Sequence, residues 1–145
     1  MKKIDNFRNC LNVLKNADFQ MANENEIYRT GVIGQFNLTF ELAWKSLQAV
    51  LQEYGVIDFK AGSPREVLQI AYRVGFLDEP EIWLMMLKTR NVSVHIYDEK
   101  EINEMLCLIR DQYIGALTHL LDTLMTKHIA AQSGLDNGKH SYFSE

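Results

Sequence analysis

Phe36-Asn37-Leu38-Thr39-Phe40-Glu41-Leu42-Ala43-Trp44-Lys45-Ser46-Leu47-Gln48-Ala49-Val50-Leu51 is the stretch that decides the fold. Phe36, Phe40, Ala43, Trp44, Leu47 and Leu51 recur at steps of three and four, the period of one face of an α-helix. The pattern runs on in both directions and predicts a helix from about Glu26 to Tyr54. Val32, Ile33, Leu38, Leu42, Ala49 and Val50 spread apolar surface over more than half of its circumference. A helix at a monomer's surface needs only a stripe. This one is expected at the centre of its own bundle or against a second copy, with Met85, Met86 and the aromatics adding to that second face. The homodimer is the expectation carried forward.

Outward from this helix the same period continues. Phe7, Cys10, Leu11 and Leu14 predict a helix from about Asp5 to Met21. Val67, Leu68, Ala71 and Tyr72 predict a short one, opened by the capping box Ser63-Pro64-Arg65-Glu66. Ile82, Trp83, Met86 and Leu87 predict the next, preceded by Asp78-Glu79-Pro80-Glu81 with its acids at the positive end of the dipole. Asp98-Glu99-Lys100-Glu101 opens a last, long helix marked by Ile102, Met105, Leu106, Ile109, Tyr113, Leu117, Leu120, Leu121 and Leu124. Gly55 and Gly75 read as stops. No alternating run reads as a strand. The expectation is an all-α fold: an up-and-down four-helix bundle with an extra short helix, over residues 1–131. Residues 132–145 read as a polar tail for which disorder is the default, although Tyr142 and Phe143 could dock.

The 145 residues suit one domain, with 47% apolar and 23% charged residues, which excludes an intrinsically disordered chain. The longest apolar run, Ile82 to Leu87, is far short of the roughly 20 residues of a membrane helix. No signal-peptide stretch follows Met1, and a cytoplasmic protein without a membrane partner is expected. Cys10 and Cys107 have no metal or redox spacing and read as small core residues of a reduced protein. The formal charge is −4, from 15 Lys and Arg against 19 Asp and Glu. A protein that only coats nucleic acid carries a basic patch, so contact with RNA has to be local.

Chemistry concentrates in Arg90-Asn91-Val92-Ser93-Val94-His95-Ile96-Tyr97. Arg90 lies at i+7 from Trp83 and i+3 from Leu87, on the apolar side, where a guanidinium must be paired or serve an anion. Val92 and Val94 weaken the helix, so it should end between Asn91 and His95, letting the chain turn His95 and Tyr97 back toward Arg90. His95 could take the proton of a ribose 2′-hydroxyl, Arg90 could hold the phosphate and stabilise transition-state charge, and Asn91 could orient either. Read from spacing alone, the bland arrangement is commoner: Arg90 paired with an acid such as Glu41, and His95 satisfying a backbone carbonyl. Glu41 and Lys45 read as a surface pair at i+4. His119 and His128 are not at ligand spacing, Trp44 and Trp83 read as core or interface, and no metal site or cofactor is expected.

This segment resembles the Rx4HxY signature of the HepT-like branch of the HEPN superfamily. Residues 36–47, Ser63-Pro64-Arg65-Glu66-Val67 and residues 81–87 are similar, in order, to the nucleotidyltransferase substrate-binding proteins. The likeness runs from about Asp5 to Lys127. It implies a helical-bundle homodimer encoded beside a minimal nucleotidyltransferase in a two-gene toxin–antitoxin-type system. The chain would be a metal-independent endoribonuclease toxin with Arg90, His95 and Asn91 catalytic, silenced by adenylylation of Tyr97. The alternative within the same resemblance is a non-catalytic substrate-binding or docking subunit of that enzyme. The chain lacks a Gly-Ser followed by paired acids and should not transfer nucleotides itself.

Overall fold

A computed structural model describes residues 1–58, 62–93, 95 and 98–134. The described residues are helical and contain no strand, so the all-α bundle expectation holds. The order is α1 (Lys2–Lys15), α2 (Phe19–Glu24), α3 (Glu26–Glu53), α4 (Pro64–Arg73), α5 (Pro80–Ser93), α6 (Glu99–Leu108), a π-helical stretch (Ile109–Tyr113) and α7 (Ile114–Ser133).

Helix α3, at 28 residues about 42 Å long, is the axis on which α1, α2, α4, α5 and α7 pack. Phe36, Phe40, Ala43, Leu47, Val50 and Leu51 are wholly buried along it. Phe36 stacks on Tyr113 with ring centroids 5.2 Å apart, and Phe40 meets Trp83 at 6.0 Å. These aromatic contacts fix α5 and the π-helical stretch against the middle of α3. A buried hydrogen bond between Thr89 and Tyr113, 2.8 Å long, joins α5 to that stretch just before Arg90.

The first predicted helix is two. Asn16 ends α1, and Asp18 begins α2 by accepting from the Met21 amide at 3.0 Å, so the Asp5–Met21 span is broken by a new cap. The Ser63 box forms, with the hydroxyl accepting from the Glu66 amide at 3.2 Å and facing its carboxylate at 3.4 Å. Gly55 and Gly75 take φ of 69° and 87°, the left-handed stop that glycine adopts without strain. The long last helix contains the π-helical stretch that the pattern did not announce. Helix α7 continues through Gln132 and Ser133 and is capped by Gly134, and the predicted tail from 135 on, with Tyr142 and Phe143, lies outside the described residues. Cys107 is exposed and Cys10 only partly covered. Cys107 faces away from the core that its neighbour Leu106 enters, so the expectation of two core cysteines is corrected.

Candidate active site at the end of helix α5

Helix α5 buries Trp83, Met86, Leu87 and Thr89. Arg90 therefore emerges at the rim of the bundle, its side chain 31% exposed. One terminal nitrogen donates to Glu41 Oε2 at 2.6 Å, and the other donates to Asn91 Oδ1 at 3.1 Å. Glu41 Oε2 also accepts from the Trp44 indole at 3.0 Å, while Lys45 Nζ stands 3.4 Å from Oε1. Burial pushes the Glu41 carboxyl up. The Trp44 hydrogen bond, the Arg90 charge and Lys45 outweigh it, and the group lies below the usual carboxylate range. Its stabilising effect is present above the usual carboxylate value and is lost as pH falls through the lower folded value.

Glu41 is thus a fixed anion between two cations, and the rim keeps one net positive charge. The pairing of Arg90 with Glu41 is the bland arrangement foreseen from spacing, and so is the Glu41–Lys45 pair. It does not bury Arg90, whose side chain stays 31% exposed at the rim.

Helix α5 then stops within the predicted interval. The Ser93 hydroxyl donates back to the Arg90 carbonyl at 3.0 Å, and the Asn37 amide of α3 donates to Ser93 Oγ at 2.9 Å. The His95 amide donates to the Val92 carbonyl at 2.9 Å and closes the turn. The His95 side chain is exposed and makes no hydrogen bond to another described residue. Asp98 caps α6 through the Lys100 amide at 2.9 Å, as its position predicted. Arg90 and Asn91 are brought into contact, with His95 on the turn that follows. Tyr97, with Val94 and Ile96, lies outside the described residues.

Asn37 and Ser93 were not singled out from the sequence, because each is an ordinary polar residue whose partner is 56 positions away. The other two described histidines pair across the bundle, His119 with Asp78 and His128 with Glu53, both at 2.9 Å. Among the described residues no group of three His, Cys, Asp or Glu side chains could hold a metal, and no helix is long and apolar enough to cross a membrane.

The profile of the family described as nucleotidyltransferase substrate binding protein like matches residues 2–126. The chain belongs to that family. A probable ribonuclease HepT from Haemophilus influenzae is 24% identical over 113 residues, 77% of this chain and 77% of that protein. A crystal structure of a Thermus thermophilus protein is 29% identical, with a TM-score of 0.70, covering 81% of this chain and 98% of that one. The family span takes in α1 through most of α7 and contains every residue of the rim around Arg90.

Proposed function

We propose that this chain is a HepT-like endoribonuclease that works as a homodimer without a metal, and is silenced when a small nucleotidyltransferase adenylylates Tyr97. The observation that carries the reading is Arg90, held at an open rim beside Asn91 with the exposed His95 on the next turn. The likeness to a probable ribonuclease supports the same chemistry. The His95 imidazole takes the proton of a ribose 2′-hydroxyl. The 2′-oxygen attacks phosphorus and the bond to the 5′-oxygen breaks, leaving a 2′,3′-cyclic phosphate and a 5′-hydroxyl. Arg90 holds the non-bridging oxygens as charge builds on them. The leaving 5′-oxygen takes a proton from a protonated imidazole, which the second copy's His95 can supply.

The dimer has its own support. Ile27, Gly31, Gly34 and Leu38 lie at steps of four, three and four on one exposed face of α3. A Cβ added at Gly31 or Gly34 would meet nothing within 4 Å. The protomer therefore has no use for glycine there, although each costs about 1 kcal/mol against alanine in a helix. Close approach of a second backbone does use it. The same face continues into Glu41 and Lys45, so pairing along α3 draws two rims toward one cleft. Leu38→Asp is expected to give monomers by light scattering at micromolar concentration with helical content retained. A wild-type monomer under those conditions would remove the dimer from the proposal.

One observation favours the docking-subunit reading: both terminal nitrogens of Arg90 already have protein acceptors. The experiment that separates the readings uses labelled RNA in EDTA, then addition of the cognate nucleotidyltransferase with ATP and magnesium. Cleavage to cyclic-phosphate ends, lost together with a gain of one adenylyl mass, is the expected result. Tyr97→Phe should cleave, gain no mass and resist silencing, because the adenylyl phosphate would otherwise compete for Arg90. Adenylyl mass that persists in Tyr97→Phe places the modification elsewhere. An intact RNA with a stable complex selects the docking subunit.

A further inference from the structure

Asn37 carries a feature that packing does not explain. The Ser93 hydroxyl has one proton, and it goes to the Arg90 carbonyl at 3.0 Å. Ser93 Oγ can then only accept from Asn37, which fixes the amide with Nδ2 toward Ser93 at 2.9 Å. Asn37 Oδ1 is left buried with no hydrogen-bond partner. A buried, unsatisfied acceptor is destabilising, and an apolar side chain at position 37 would avoid it. The asparagine is therefore kept at a cost to stability, and what it gains is one hydrogen bond to the end of α5.

That bond ends on Ser93, which in turn holds the main chain of Arg90, the residue whose orientation matters most. Asn37 and Glu41 are one turn apart on α3 and take hold of Arg90 at two points. Glu41 fixes the guanidinium directly, and Asn37 fixes the main chain through Ser93. We infer that Asn37 is a positioning residue, acting through Ser93 to set the main chain at Arg90 and the turn that carries His95. Its meaning for turnover rests on the ribonuclease reading above. A turn left free at Ser93 would let His95 and Arg90 drift relative to each other, and small misplacements of that kind are costly to rate rather than to binding.

The test compares Asn37→Ala, Ser93→Ala and the double variant in RNA cleavage, with amide exchange measured across residues 92–98 in the same proteins. Each single variant is expected to lose about tenfold in kcat with KM within about twofold, because positioning is lost and phosphate contact is not. The double variant should lose no more than the worse single, since both break one chain. Ser93→Thr keeps the hydroxyl and should keep turnover. Thermal stability of Asn37→Ala should hold or rise, because the orphaned acceptor goes with the side chain, whereas a merely structural asparagine would lose stability and activity together. The His95 amide should exchange faster in the Ala variants. Full turnover in Asn37→Ala, additive losses, or unchanged exchange at His95 would each overturn the inference. If the wild type cleaves no RNA, the ribonuclease reading fails, and the exchange result still decides the clamp by itself.

Discussion

His95→Ala is expected to lower RNA cleavage by about 10² to 10⁴-fold, the range that a positioned general base contributes. The fold should be spared. The side chain is exposed and makes no hydrogen bond to another described residue, so the stability change should stay within about 0.5 kcal/mol. The turn is closed by the His95 backbone amide on the Val92 carbonyl, which alanine also provides. Cleavage of labelled RNA and a melting curve on the same preparation check both halves. Degradation unchanged in purified His95→Ala would identify a contaminating nuclease and favour the docking subunit.

Arg90→Ala should lose about 10² to 10³-fold in cleavage, comparable to removing a main donor to a developing oxyanion. Arg90→Lys should recover little, because an ammonium cannot present two parallel donors to a phosphate or reproduce the simultaneous bonds to Glu41 and Asn91. The stability cost should be small. Both partners of the Arg90–Glu41 pair are about a third exposed, solvent screens them, and pairs of this kind contribute less than about 1 kcal/mol. Glu41 also keeps the Trp44 indole and Lys45 as partners when Arg90 is gone. Single-turnover cleavage with a parallel denaturation series measures the two effects. A collapse of the fold together with activity would show that the arginine serves the bundle rather than the rim.

Much of the architecture was readable because the α3 period, the Ser63 box, the glycine stops and the Asp98 cap are local patterns. Each is decided within a few residues by sterics or by an unsatisfied amide. The break between α1 and α2 escaped because Cys10, Leu11 and Leu14 carry the helical period up to the boundary, while the only mark of the new start is a lone aspartate, Asp18, capping α2. Arg90, Asn91 and the turn were readable since they sit within one turn of helix. Glu41 was legible as an acid that could pair with Arg90, and its tie to Trp44 was not. Asn37 and Ser93 were invisible for a different reason: a hydrogen bond between distant elements leaves no periodic trace in the chain.

The π-helical stretch at Ile109–Tyr113 has a mechanical consequence. Met105, Ile109, Tyr113, Leu117 and Leu121 are all buried and follow one another at steps of four. In a regular α-helix a step of four overshoots a full rotation by about 40°, so such a row winds off the core. The wider π turn takes up part of that excess and keeps both ends of the shaft in phase with α3. Angular setting is therefore stored in one surplus residue. Removing it would rotate α6 about its axis by about 100° relative to α7, carrying Met105 and Leu106 out of the core. Which side of α6 meets the core is therefore geared to a torsional allowance held at the far end of that helix.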